Sequence, residues 1–121
     1  MGGAEVALRH MFTLDHDPVD GSHLIVAGGE LDLAATSEMS AIFAMAAAGP
    51  QEAVVLDLVG VDFIDSSALG TILRAAQSLE ASGKRLHVVA PEGPVRRLLE
   101  ITGTASRFSL HASREDAFAA A

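Results

Sequence analysis

The chain has 121 residues, which suits a single domain. Half of them are apolar, but with no Trp, no Tyr and only five Phe, a core must be built mostly from Ala, Val, Leu and Ile. No stretch approaches about 18 consecutive apolar residues, which argues against a membrane-inserted segment, and MGGAEVALRHMF lacks the basic start and apolar run of a secretory signal. The absence of Cys excludes disulfides and suits a reducing cytoplasm, while a net charge of −8 opposes nucleic acid, whose phosphates are bound through Lys and Arg. That charge is uneven, with eleven acids and one base in residues 1–65 against five acids and seven bases in residues 66–121, so a protein partner is the better expectation.

Residues 1–10 hold two early Gly and no clear period, and read as a loose extension before a single domain over residues 11–121. Met11 to Leu14 suits a first strand, HDPVDGSH a turn rich in Asp, Pro and Gly, and Leu24 to Ala27 a second strand that closes a hairpin and stops at Gly28 and Gly29. Asp32 is a candidate N-cap for a helix over Leu33 to Ala48, whose apolar face is Met39, Ile42, Phe43 and Ala46 and which ends at Gly49 and Pro50. Val54 to Leu58 has the β-branched and aliphatic run of a strand buried on both faces, ending at Gly60.

Val61 to Ile64 then leads to Asp65, Ser66 and Ser67, three small polar residues directly before an amphipathic helix carrying Leu69, Ile72, Leu73, Ala76 and Leu79. A strand feeding a helix N-terminus leaves backbone N–H groups unpaired, which suits an anion, although Asp and Ser are also the residues that plainly cap helices. Gly83 suits the C-cap, Lys84 and Arg85 introduce a strand at Leu86 to Ala90, and Pro94 opens a third helix with Val95, Leu98, Leu99 and Ile101 that stops at Gly103. Phe108 to Leu110 makes a short last strand, and Ser113 starts a terminal helix through Phe118. The order predicts an α/β fold: a mixed, mostly parallel sheet of about five strands opened by a β-hairpin, with about four helices joined by right-handed crossovers.

The stretch FIDSSALG, following the strand VVLDL and preceded by GELDLAA, resembles the STAS domain and, within it, the anti-sigma factor antagonists, from about Ser22 to the C-terminus. In that family GELD is followed by DSSGLG or DSTGLG, and the first hydroxyl after the Asp is phosphorylated by a partner serine kinase that is also the anti-sigma factor. By this resemblance Ser66 is the phosphate acceptor. The resemblance also implies that Glu30, Asp32, Asp65, Ser66, Ser67 and Ala68 form the surface the partner contacts, with Ala68 standing where the family usually has Gly. The resemblance implies a switch. The unphosphorylated protein binds the anti-sigma factor and frees the sigma factor, phosphate on Ser66 ends the binding, and a phosphatase restores it.

Other chemistries lack their residues. Asp57 falls at the end of a buried strand, as the acceptor of a response-regulator receiver does, but the acidic pair that would hold Mg²⁺ is missing and Lys84 is the one Lys in the chain. Ser66 does not sit in a G-x-S-x-G elbow, the five His are widely separated with no metal-ligand spacing, and there is no G-x-x-x-x-G-K-[ST] loop. The expectation is therefore a non-enzyme with no metal or cofactor of its own, the ATP and Mg²⁺ belonging to the kinase. A STAS subunit that packs, without switching, inside a lipid-transport or stress-sensing assembly is the alternative.

Overall fold

A computed structural model describes residues 11–121, so the expected N-terminal extension lies outside the described residues. The sheet begins with a hairpin of two strands, β1 (Phe12–Val19) and β2 (Ser22–Leu31), longer than the local pattern suggests. Asp20 and Gly21 both take positive φ, 48° and 84°, as a two-residue turn of matching twist demands, so the turn shrinks to these two residues and the rest of HDPVDGSH pairs across the hairpin. Pro18 is accommodated because β1 is an edge strand and needs no donor on its open side.

The second strand does not stop at Gly28 and Gly29. It passes through them with two irregularities in its pairing, between Val26 and Gly28 and between Gly29 and Glu30. At Gly29, φ is +81° and a side chain would run into the carbonyl of Met11, so only glycine lets the strand kink there and continue to Leu31.

A 3-10 turn (Leu33–Ala35) precedes helix α1 (Thr36–Ala48), followed by β3 (Ala53–Ile64), α2 (Ser66–Ala81), β4 (Arg85–Val89) and α3 (Pro94–Ile101). A second 3-10 turn (Thr104–Arg107), β5 (Ser109–His111) and α4 (Arg114–Ala120) complete the chain. The sheet order is β1-β2-β3-β4-β5, with β1 antiparallel to β2 and the remaining neighbours parallel, as the alternation of elements implied.

The third strand is one strand of 12 residues, where the sequence suggested a break at Gly60. Its first half, Ala53 to Asp57, lies between β2 and β4 and is buried on both faces. Its second half runs past the end of β4 and pairs with β2 alone, which leaves Val59 and Phe63 exposed.

One face of the sheet packs Ile25, Val54, Leu56 and Val88 against α1, α2 and α3, through residues such as Met39, Ile72 and Leu99. The other face, with Leu24, Val55 and Val89, is covered by Ala117 and Phe118 of α4. The ammonium of Lys84 donates to the carbonyls of Ala46 and Gly49, so the chain's one lysine caps the C-terminus of α1.

Candidate functional site

Helix α2 starts at Ser66. Asp65 is its N-cap: the backbone there is extended, and Oδ1 accepts the N–H of Ala68 at 2.9 Å while the Asp65 carbonyl accepts that of Leu69 at 3.0 Å. The Leu69 bond is the first of the helix ladder; of the four N–H groups that a helix start leaves over, that of Ala68 is satisfied by the Asp65 side chain and that of Asp65 by the Leu31 carbonyl. Those of Ser66 and Ser67 make no hydrogen bond among the described residues and point out of the first turn. The two hydroxyls are not equivalent. Ser66 is exposed, whereas Ser67 is half-buried and its carbonyl accepts from Thr71 Oγ1 at 3.0 Å.

The Glu30–Asp32 segment is fixed beside this helix start by strand register. Leu31 pairs with Ile64 in the parallel ladder, and the Asp65 N–H donates to the Leu31 carbonyl at 3.0 Å, so Asp32 and Asp65 leave adjacent strands side by side. Asp32 caps the 3-10 turn, where a longer helix was expected: its Oδ1 accepts the Ala34 N–H at 3.0 Å. Glu30 pairs with Phe63, and its N–H donates to the Met11 carbonyl at 2.9 Å. Glu30, Asp32, Asp65 and Ser67 are all partly open to solvent at this end of the sheet, beside exposed Ser66.

Ala68 differs. Its side chain is 0% exposed and belongs to the core, so it offers a partner no side-chain contact and acts only through the helix it helps to start. The helix already includes Ala68 at its third position. Sequence pattern missed Leu33 and Phe63, two large apolar side chains left 70% and 51% exposed at the same end of the molecule. The signal for Phe63 was its pairing partner, since a residue opposite Glu30 shares the face on which Glu30 lies.

The STAS domain family model matches residues 17–117 of this sequence. The chain belongs to the STAS domain family. Relatives include BtrV of Bordetella bronchiseptica, described as a candidate anti-sigma factor antagonist, which is 32% identical over 107 residues, spanning 88% of this chain and 92% of that protein. The crystal structure of an anti-sigma factor antagonist from Mycobacterium paratuberculosis superposes with a TM-score of 0.82 at 26% identity, covering 90% of this chain and 92% of that one. The unphosphorylated form of the Bacillus antagonist SpoIIAA, at 24% identity with a TM-score of 0.69 over 86% of this chain and 92% of its own, shares the fold.

In this STAS domain Asp57 does not fall at a strand end. It lies within β3, is 3% exposed, and its Oδ2 accepts from Arg114 Nε at 2.9 Å and Nη2 at 2.6 Å while Oδ1 accepts the Val59 N–H. The pair ties α4 to the sheet, and Oδ1 holds the Val59 N–H where the register with β2 shifts. The four described histidines come together in space: His16 with His23, and His87 with His111, form two pairs with ring nitrogens 2.9 and 3.0 Å apart. Burial is the main cause that lowers the pKa of His23 and of His87, followed by the positive charge available to the neighbouring His16 or His111. Among the described residues no group of three or more His, Asp or Glu side chains is arranged to hold a metal ion, and no helix is long and apolar enough to cross a membrane.

Proposed function

We propose that this STAS domain is an anti-sigma factor antagonist of the partner-switching kind. With Ser66 unmodified, the surface formed by Glu30, Asp32, Asp65, Ser66 and Ser67 binds an anti-sigma factor that is also a serine kinase, and the sigma factor is released. The names of the relatives support antagonism, and one observation carries the choice of residue: Ser66 is an exposed hydroxyl on the first turn of α2, beside two unpaired N–H groups and next to the Asp32 loop.

Phosphorylation needs little from this chain. The kinase brings ATP and Mg²⁺, Ser66 Oγ attacks the γ-phosphorus, its proton passes to a base of the kinase, and ADP leaves. Asp65 holds the helix start through its Oδ1 cap bond. The phosphate then meets the N–H groups of the first turn and the positive end of the helix dipole, an interaction worth about 0.3–2 kcal/mol. The domain therefore stays folded while its contact surface gains about two negative charges. Hydrolysis by a phosphatase returns the hydroxyl and inorganic phosphate.

Incubation with the cognate kinase and ATP, followed by phosphopeptide mapping, tests the reading. Phosphate on Ser66 that disappears in Ser66→Ala is expected. Stable binding to the anti-sigma factor with no modification of Ser66 would instead identify a STAS subunit that does not switch.

A further inference from the structure

A cavity of about 340 Å³ opens far from Ser66, between the later turns of α2, the start of β4 and the 3-10 turn before β5. Three arginines line it, Arg74, Arg85 and Arg107, together with Leu73, Gln77 and Glu80. This concentration is unexpected in a chain with 16 acids and only eight Lys and Arg. The ion pairs among the described residues are Arg114–Asp57 and Arg96–Glu100, so none of the three arginines has a described carboxylate within 4 Å, although Glu80 lines the same space.

Their guanidinium groups are available. Arg85 gives Nε to Ser109 Oγ at 3.0 Å, which orients its plane while its terminal nitrogens make no hydrogen bond among the described residues. The head of Arg107 likewise has no hydrogen-bond partner among them, and Arg74 holds only a long contact, Nη2 to Thr71 Oγ1 at 3.3 Å. Like charges gathered around a concavity repel one another, and an anion between them replaces that repulsion with attraction. Guanidinium forks match phosphate oxygens two at a time, and more than one arginine calls for more than one negative charge. The volume lies in the range of small-molecule sites, larger than a single phosphate, with Leu73 for an apolar portion and Gln77 for a hydrogen bond.

We infer that this cavity binds a small phosphate-bearing anion. The site is separate from the partner surface and does not depend on the switching reading. Inorganic pyrophosphate is the probe, titrated into the full chain at fixed ionic strength while backbone amide shifts are followed by NMR. Saturable shifts confined to the segments around Arg74–Glu80, Arg85 and Arg107 are expected. The dissociation constant should rise about tenfold or more in Arg107→Gln, which removes no hydrogen bond or ion pair among the described residues, and in Arg85→Gln, the fold of both variants being checked by melting temperature. Glu80→Gln removes a repelling carboxylate and should tighten binding. No saturable shift, shifts centred on Ser66 and Ser67, or an affinity unchanged by both arginine substitutions would overturn the site.

Discussion

At Ser66 and Ser67, two adjacent hydroxyls are separated by one step around a helix, and that step decides which can enter a kinase. Ser66 is exposed on the first turn, while Ser67 is half-buried. Mapping should therefore find the phosphate in Ser67→Ala and lose it in Ser66→Ala; modification confined to Ser67 would reverse the assignment. At Ala68 the methyl is buried at the third helical position, so Ala68→Gly loses both helix propensity and a buried carbon and should lower stability by about 1–2 kcal/mol in denaturant unfolding. An unchanged or higher midpoint would mean that the helix start gains from glycine. For Asp32, which caps only a short 3-10 turn, replacement by Ala should cost at most about 1 kcal/mol, and any larger loss of partner affinity measured on the folded variant reports contact with the partner.

The elements show where local sequence is sufficient and where it is not. The caps at Asp65 and Ser113, the left-handed Gly83 and Gly103 after α2 and α3, and the apolar face of α1 are all set by residues within a turn of one another, and they were legible. Strand ends were not, because Gly28 and Gly60 face each other across a ladder whose partner segments lie 32 residues apart. The link between Asp57 and Arg114 spans 57 positions, and nothing near either residue signals the other. This pair makes α4 a separable element. Arg114→Ala would leave the Asp57 carboxylate buried without its partner; because Arg114 is itself half exposed, the cost should be about 2 kcal/mol, below that of a fully buried pair. Hydrogen exchange should quicken in α4 first. Uniform destabilisation with α4 still protected would show that Ala117 and Phe118 alone hold the helix in place.

At the scale of the whole molecule, the two histidine pairs join edge strands to the sheet, and their titration sets a pH response. The folded-state pKa values of both His23 and His87 are lowered, by burial first; at His23 His16 lowers it next, a hydrogen bond to Gln51 raises it, and Lys84 and Asp17 add smaller opposing influences, while at His87 His111 and then Arg85 lower it further. The unfolded chain therefore binds protons first. Stability is fully present above the unfolded value near 6.5 and declines as pH falls from there toward the lowered folded values. Guanidinium unfolding at pH 7.5 and 5.5 should show this decline, and His87→Gln should flatten it. A midpoint that rises on acidification to pH 5.5 would contradict the burial of these rings.

The same scale holds the central claim, that phosphate on Ser66 acts on the partner and not on the fold. A group of about −2 charge facing one partner carboxylate at around 6 Å costs roughly 5 kcal/mol at an effective dielectric of 20, before screening. Even about 3 kcal/mol of this is over a hundredfold in affinity. Within the domain, the N-terminus of α2 offsets the charge against nearby Asp65, so the melting temperature should change little. The most direct test is calorimetric titration of the cognate anti-sigma kinase with unmodified and Ser66-phosphorylated protein, each paired with a thermal melt. The expected result is a loss of at least about a hundredfold in affinity with melting temperatures within a few degrees of each other; equal affinity for the two forms, or a phosphorylated protein that melts many degrees lower, would contradict it.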